Sequence, residues 1–557
     1  MLSACAAAGA GDPISPVIAT GAAGAFLTGR FAAGQNDLDF AAQQFLRALE
    51  ADPSSIELQQ QAFMAALLAG RPEAVSLAQQ QQGNLAAQLL LGNAEVKTGR
   101  WEQAEARYSG MSRQGPTQIL QPLLVAWAQA GAGRTDVALA TLRPFTENGR
   151  AKGLIALHAA LIADLGERAP EAARLYRIAQ TESGGMNLQL GRMLASWQAR
   201  QGNTGDAEAT LKAMSDASPD LLIALPAIHA AISERQVRGA ADGVAEAYVT
   251  MAAAVRPQDA AEFATLMLRL ALDVRPELTS ARLFSADLED SRRHPEAAMR
   301  ILAGVAASDP LYAVVRMRQA GLAERQGQTP DALRMLEELV RDFPDRPDPW
   351  ILQGDVLRTK KRFAEAVVAY DKALGLIGNP GRGNWALFYN RGIALERSKQ
   401  WTRAEADMLK ALELFPDQPF VLNYLGYSWT EQGRNLQRAR QMIERAAELR
   451  PNDGEIADSL GWVVYRQGDV RAAVKHMERA VELEPGDATI NGHLGDVYWA
   501  AGRKLEAQYQ WRRSLTLNPD PDDVPKLQAK IRDGEQALRL PAPTTAERPK
   551  TPVQTVQ

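Results

Sequence analysis

Among the prolines of this chain that have an alanine twelve residues upstream, eight mark a repeating unit, and most of these recur 34 residues apart. The pairs are Ala41/Pro53, Ala264/Pro276, Ala298/Pro310, Ala332/Pro344, Ala404/Pro416, Ala439/Pro451, Ala473/Pro485 and Ala507/Pro519. Pro276, Pro310 and Pro344 are spaced by 34 and 34, and so are Pro451, Pro485 and Pro519. A fixed period of this length marks a repeat array. Each unit of an array buries its apolar face only on its neighbours, so 557 residues need no division into separate globular cores.

The segment Ala488 to Pro519 shows what one unit must be. Asn491, Leu494, Gly495 and Tyr498 share one face at helical spacing, Gly502-Arg503 makes a turn, and Ala507, Trp511 and Ser514 lie on a second helix. Gly495 and Ala507 are small enough to let the two axes approach, with Tyr498 and Trp511 filling the wider gaps. Asn518-Pro519 ends the unit, because proline cannot donate to a continuing helix and pushes its predecessor out of the α region.

Other copies repeat these marks. Leu460-Gly461 precedes Ala473, Ala480 and Pro485; Leu425-Gly426 with Trp429 precedes Ala439, Ala446 and Pro451, with one extra residue in the turn near Asn435. Gly392 precedes Ala404, Ala411 and Pro416. Trp350 and Gly354 precede Ala366, Tyr370 and Ala373, where a Gly378-Asn379-Pro380-Gly381 insertion replaces the closing proline. Earlier copies are looser, although Leu91-Gly92 with Ala104 and Tyr108 fits well. The pattern resembles the tetratricopeptide repeat, a helix–turn–helix of 34 residues, over roughly residues 25–534. The resemblance implies an all-α solenoid coiled as a right-handed superhelix.

The chain accordingly divides into a tether at 1–24, an irregular array at 25–219 and an irregular helical junction at 220–250. A regular array follows at 251–519, then a polar capping helix at 520–535 and a disordered Pro/Thr-rich tail at 536–557.

A net charge of −4 and a pI near 5.9 argue against a nucleic-acid or polybasic membrane partner. No apolar run reaches the ~18 residues of a membrane span. The sole cysteine, Cys5, closes Leu2-Ser3-Ala4-Cys5, which resembles the bacterial lipobox. The resemblance implies a lipidated Cys5 and a protein tethered to the periplasmic face of an envelope membrane, with the Ala- and Gly-rich tract after it as tether. A secretory signal needs a basic stretch and ~7–15 apolar residues before its cleavage site, which places the true start upstream of Met1. The alternative is an ordinary thiol in a cytoplasmic protein.

The five histidines, His158, His229, His294, His476 and His493, are far apart, and no HExxH, phosphate loop or nucleophile elbow is present. Catalytic residues, metal ligands and cofactors are therefore not expected. In tetratricopeptide arrays the first helices line the inner groove. The resemblance implies that here the groove carries Tyr389 and Asn390, then Asn423, Tyr424 and Tyr427. The next repeat adds Asp458, Trp462, Tyr465 and Arg466, and the last adds His493, Asp496 and Trp499. Rings and amides together can grip an extended peptide. Trp429 and Trp511 fall at packing positions. Chaperone-binding relatives hold a C-terminal carboxylate with a Lys/Asn/Arg clamp; Asn423 matches one such position, but no lysine matches the others. The chain reads as a scaffold or adaptor for a protein or peptide partner, in envelope assembly or secretion, or else as a cytoplasmic regulator or co-chaperone.

Overall fold

The computed structural model describes residues 21–81, 83–149, 151–254 and 261–534. Among these there are thirty α-helices, two short 3₁₀ turns and no strand. No described helix is long and apolar enough to cross a membrane. Cys5 and the tail 536–557 lie outside the described residues. The chain forms two units, one up to residue 335 and one from residue 336 onward.

Both units are built from antiparallel helix pairs, and the proline positions explain where each pair ends. The second helices Leu38–Ala51, Trp401–Leu414, Leu436–Leu449 and Val470–Leu483 stop two residues before Pro53, Pro416, Pro451 and Pro485. The intervening residues Asp52, Phe415, Arg450 and Glu484 all leave the helix with φ between −142° and −136° and ψ between 68° and 86°. That is the extended conformation a following proline imposes. Within pairs, the turn is closed by a left-handed residue, as at Gly468 (φ 93°) and Gly502 (φ 80°). In the turn before Leu436–Leu449 both Gly433 and Asn435 have positive φ, which accommodates the extra residue.

In several pairs a glycine of the first helix seats a large side chain of the second. A Cβ at Gly495 would lie 2.4 Å from Trp511, at Gly354 2.5 Å from Tyr370, and at Gly92 2.3 Å from Tyr108. Trp511 therefore lies over the glycine itself and not in a gap beside it. The recurring alanines have the same origin: Ala366, Ala404, Ala439, Ala473 and Ala507 are all fully buried in the helix–helix contact.

The first unit departs from a simple array. Its first helices Ile56–Ala69, Leu85–Lys97, Thr117–Gly131 and Lys152–Leu165 share one face. The segment read as a junction, 220–250, contains only two short turns of helix before a long one, Ala240–Ala254. That helix pairs with Ala261–Val274, and the hairpin lies across the first-helix face. Ala240–Ala254 packs on Thr117–Gly131 and Lys152–Leu165, and Ala261–Val274 packs on Leu85–Lys97 and Ile56–Ala69. A Cβ at Gly243 would lie 2.3 Å from the Trp127 ring, so glycine is what lets the backbone of the crossing helix approach.

Buried hydrogen bonds fix the hairpin. Trp127 Nε1 donates to His158 Nδ1 at 3.1 Å, and His158 Nε2 lies 3.0 Å from Thr250 Oγ1. With Nδ1 accepting, Nε2 carries the proton. Asn93 Nδ2 donates to the Leu270 carbonyl at 3.1 Å, and Arg269 Nε donates to the Leu67 carbonyl at 3.0 Å.

In the second unit the helices Trp385–Arg397, Pro419–Glu431, Gly454–Arg466 and Ala488–Ala500 form the first-helix row. Among the described residues of that unit, no helix hairpin crosses this row. Helix Val524–Asp533 packs on Lys504–Thr516 and buries Leu527 at the array's end.

Candidate partner groove

The row of first helices in the second unit divides the twelve expected groove residues into three sets. Tyr389 and Tyr424 belong to the core. They are 5% and 2% exposed, their rings meet edge-to-face at 5.9 Å, and Tyr424 Oη donates to Glu396 Oε2 at 3.2 Å. Each fills the seam between adjacent repeats, which corrects their placement on the groove surface. Asn390 is half-buried and donates to Asp355 Oδ1 at 3.0 Å.

Asp496 and Trp499 serve the end of the array. Asp496 accepts from Trp511 Nε1 at 2.8 Å and from Lys530 Nζ at 2.7 Å, which ties the terminal helix to the last pair. Trp499 stands 5.3 Å from the Trp511 ring, with Lys504 Nζ 5.1 Å from its centroid.

The remaining residues converge. The Trp462 indole stacks on the His493 ring at 4.2 Å and 18°, Tyr465 lies 5.3 Å from Trp462, and Tyr427 lies 6.5 Å from His493. Asp458 accepts from His493 Nδ1 at 2.9 Å. Arg466 is exposed, with Nη1 3.4 Å from Glu431 Oε1. Asn423 completes the floor and is 3% exposed. Helical spacing puts Asp458, Trp462 and Tyr465 on one face, and the repeat places His493 thirty-five residues on beside them.

Burial acts against a charge on His493, but Asp458, and beyond it Asp496 and Glu431, outweigh it and hold the imidazole above its ordinary pKa. Glu455 behaves in the opposite sense. Burial, together with Glu484, Asp453, Asp487 and Asp458, pushes its carboxyl up to about 8.

Sequence reasoning missed Glu431, whose Oε1 accepts from Trp462 Nε1 at 2.5 Å and fixes the indole plane. It also missed Glu455 and Asp487, which line the same pocket as Asn423, Tyr427, Asp458 and His493. Acidic residues at helix starts read as ordinary caps, and Asp487 does cap its helix by accepting from Ile490 N. A cavity of about 900 Å³ lies in the first unit beside Arg107. That guanidinium is already held by Glu95 and Gln88, so the cavity offers no free anchor there.

Residues 317–382, 389–454 and 459–520 match the family model described as tetratricopeptide repeat. These residues are tetratricopeptide repeats. The chain is 30% identical over 163 residues to the TPR repeat-containing protein PA4667 of Pseudomonas aeruginosa, covering 29% of this chain and 27% of that one. It is 30% identical over 130 residues to mouse Superkiller complex protein 3, covering 23% of this chain and 8% of that one. It thus spans about a quarter or less of the length of these relatives. Mouse mitochondrial import receptor subunit TOM70 is 25% identical over 141 residues, 25% of this chain and 22% of that one. Among solved structures, the anaphase-promoting complex assembly Cut9–Hcn1 covers 92% of this chain and 95% of its own at 14% identity and a TM-score of 0.39. The TPR protein YrrB covers 36% and 97% at 20% identity and a TM-score of 0.28. In the repeats of this chain the aromatic cluster spans three consecutive first helices.

Proposed function

We propose that this chain is a non-catalytic scaffold that captures a protein or peptide partner on the first-helix face of its C-terminal repeats. One contrast carries the reading. The corresponding face of the first unit is covered by the chain's own hairpin, while Trp462, Tyr465 and Arg466 remain partly or fully exposed on the second. Half-buried rings held by neighbouring groups supply contact area at little entropic cost. The relative named as a mitochondrial import receptor subunit supports a role in binding proteins.

Photo-cross-linking tests the reading in the full chain. A cross-linker at Tyr465 should trap a discrete partner, and one at Val137, exposed on a second helix of the first unit, should not. Replacing Tyr427 and Trp462 by Ala should abolish the adduct. Equal adducts at both positions, or none at either, would remove the groove as the binding face.

We further propose that Cys5 carries a lipid that tethers the scaffold to a bacterial envelope membrane, where it serves envelope assembly or secretion. The tetrapeptide Leu2-Ser3-Ala4-Cys5 supports this, and stable anchoring generally needs more than one acyl chain. Metabolic labelling with an alkyne fatty acid should mark wild type and not Cys5→Ala. No label in either, with the protein in the soluble fraction, would favour a cytoplasmic regulator or co-chaperone.

A further inference from the structure

Between helices Pro419–Glu431, Gly454–Arg466 and Ala488–Ala500 lies a pocket of about 30 Å³. Its lining includes Asn423, Tyr427, Glu455, Asp458, Asp487 and His493, and no lysine or arginine. A space of this size holds one water-sized group.

The polar groups around it are unevenly satisfied. Asp458 is paired with His493 at 2.9 Å. Asp453 accepts from Ile456 N and pairs with Arg450 at 3.1 Å, and Asp487 accepts from Ile490 N. Among the described residues, no cationic side chain pairs with Glu455 or Glu484. Glu484 is pressed against the helix start: a Cβ at Gly454 would lie 2.8 Å from Glu484 Oε2. Asn423, buried in the floor, has an Oδ1 with no hydrogen-bond partner. A buried acceptor left unmade is costly, and so is a carboxyl in the field of four others.

One occupant would relieve both. It must be positive, donate hydrogen bonds and be about as large as water. No group of three His, Cys, Asp or Glu among the described residues is arranged to hold a metal ion. A guanidinium is a planar fork several atoms wide, whereas an ammonium is a compact point charge with three donors. The Tyr427 ring in the wall adds the face that cations favour.

We propose that this pocket binds a primary ammonium group of the partner polypeptide, with Glu455 as its counter-ion and Asn423 Oδ1 as a hydrogen-bond acceptor. The proposal rests on the groove reading above and specifies its chemistry. The two sources of such a group are a lysine side chain and a free chain N-terminus. The site becomes more negative as pH rises and Glu455 and His493 lose protons, with Asp453, Asp458, Glu484, Asp487, Asp496, Glu431 and Arg450 facing them. A lysine probe keeps its own proton to about pH 9.

The test is calorimetric titration of the full chain with an acetylated, amidated octapeptide of alternating Lys and Ala, and with its norleucine and arginine counterparts. A norleucine peptide with a free N-terminus reports the second source. The lysine or free-amine peptide should bind at least tenfold more tightly than the capped norleucine peptide, and more tightly than the arginine one. Binding of the lysine peptide should strengthen about tenfold between pH 6 and pH 9. Glu455→Gln should weaken it at least tenfold and flatten the pH profile without lowering the melting temperature, and exposed Glu482→Gln should leave it unchanged. A carboxylate needed only for folding would lower the melting temperature instead. Equal binding of lysine, norleucine and arginine peptides, no binding, or wild-type binding by Glu455→Gln overturns the proposal. Cross-linking from Tyr465 would then still report separately on the groove.

Discussion

The Tyr248 hydroxyl donates to Asn93 Oδ1 at 2.9 Å, joining two fully buried side chains 155 residues apart in sequence. It is the central bond between the crossing hairpin and the first-helix face of the first unit. Tyr248→Phe leaves the Asn93 oxygen buried and unpaired, and should destabilise that unit by about 1–3 kcal/mol. Denaturant unfolding followed by tryptophan fluorescence measures it; an unchanged midpoint would mean the hairpin is held by packing alone.

His158 makes the same unit acid-sensitive. Burial lowers its pKa to about 3, so the folded protein keeps the ring neutral while the unfolded chain protonates below about 6.5. Stability is therefore full above pH 6.5 and falls as pH drops towards 3, by up to about 1.4 kcal/mol per pH unit. His158→Gln should be less stable at pH 7, yet lose less on going to pH 5. A parallel fall in both proteins would place the acid sensitivity elsewhere.

Gly495 and Gly486 make a matched pair. A Cβ at Gly495 collides with the fully buried Trp511, and one at Gly486 meets nothing within 4 Å. Gly495→Ala should cost about 1–3 kcal/mol by overpacking, and Gly486→Ala should be neutral or stabilise by up to about 1 kcal/mol through the unfolded chain. Ala473→Leu, at another fully buried helix contact, should behave as Gly495→Ala does. Thermal melts of the three variants read the register of the array directly.

Glu455 should destabilise the fold at high pH. Its pKa is raised to about 8, so its contribution is most favourable below about 4.5 and is lost as pH rises through 8. Glu455→Gln should melt with wild type at pH 4.5 and above it at pH 9. A gap that does not widen between those pH values would show that the carboxyl is not under repulsion.

The helix pairs were legible because two rigid requirements recur at fixed spacing. An alanine must sit in each helix contact, as Ala439 and Ala473 do, and a proline must force its predecessor extended, as Pro451 and Pro485 do. Groove residues were only half legible. Periodicity tells which residues share a face, not which neighbour covers it, and Tyr389 and Tyr424 are covered by each other. The crossing hairpin did leave a trace. Apart from Glu246, residues Gly243 to Met251 of its first helix are uncharged and mostly apolar on every side, and such a helix belongs inside a protein. Its destination was not readable, because the bonds to Asn93 and His158 join segments with no shared period. Glu455 and Asp487 carry no mark in the sequence, because their uncommon feature is mutual proximity, which exists only once the repeats are stacked.

The covered face of the first unit changes how that half can vary. Stacked repeats linked only to their neighbours tolerate loss or duplication of one copy, since the seam simply re-forms. The hairpin spans four first helices at once, meeting the third at Trp127 and the second at Asn93. Removing one pair would slide every later contact out of step with it, so the first unit has a fixed length and unfolds as a whole. A stretch of repeats has become something that can no longer be counted in repeats.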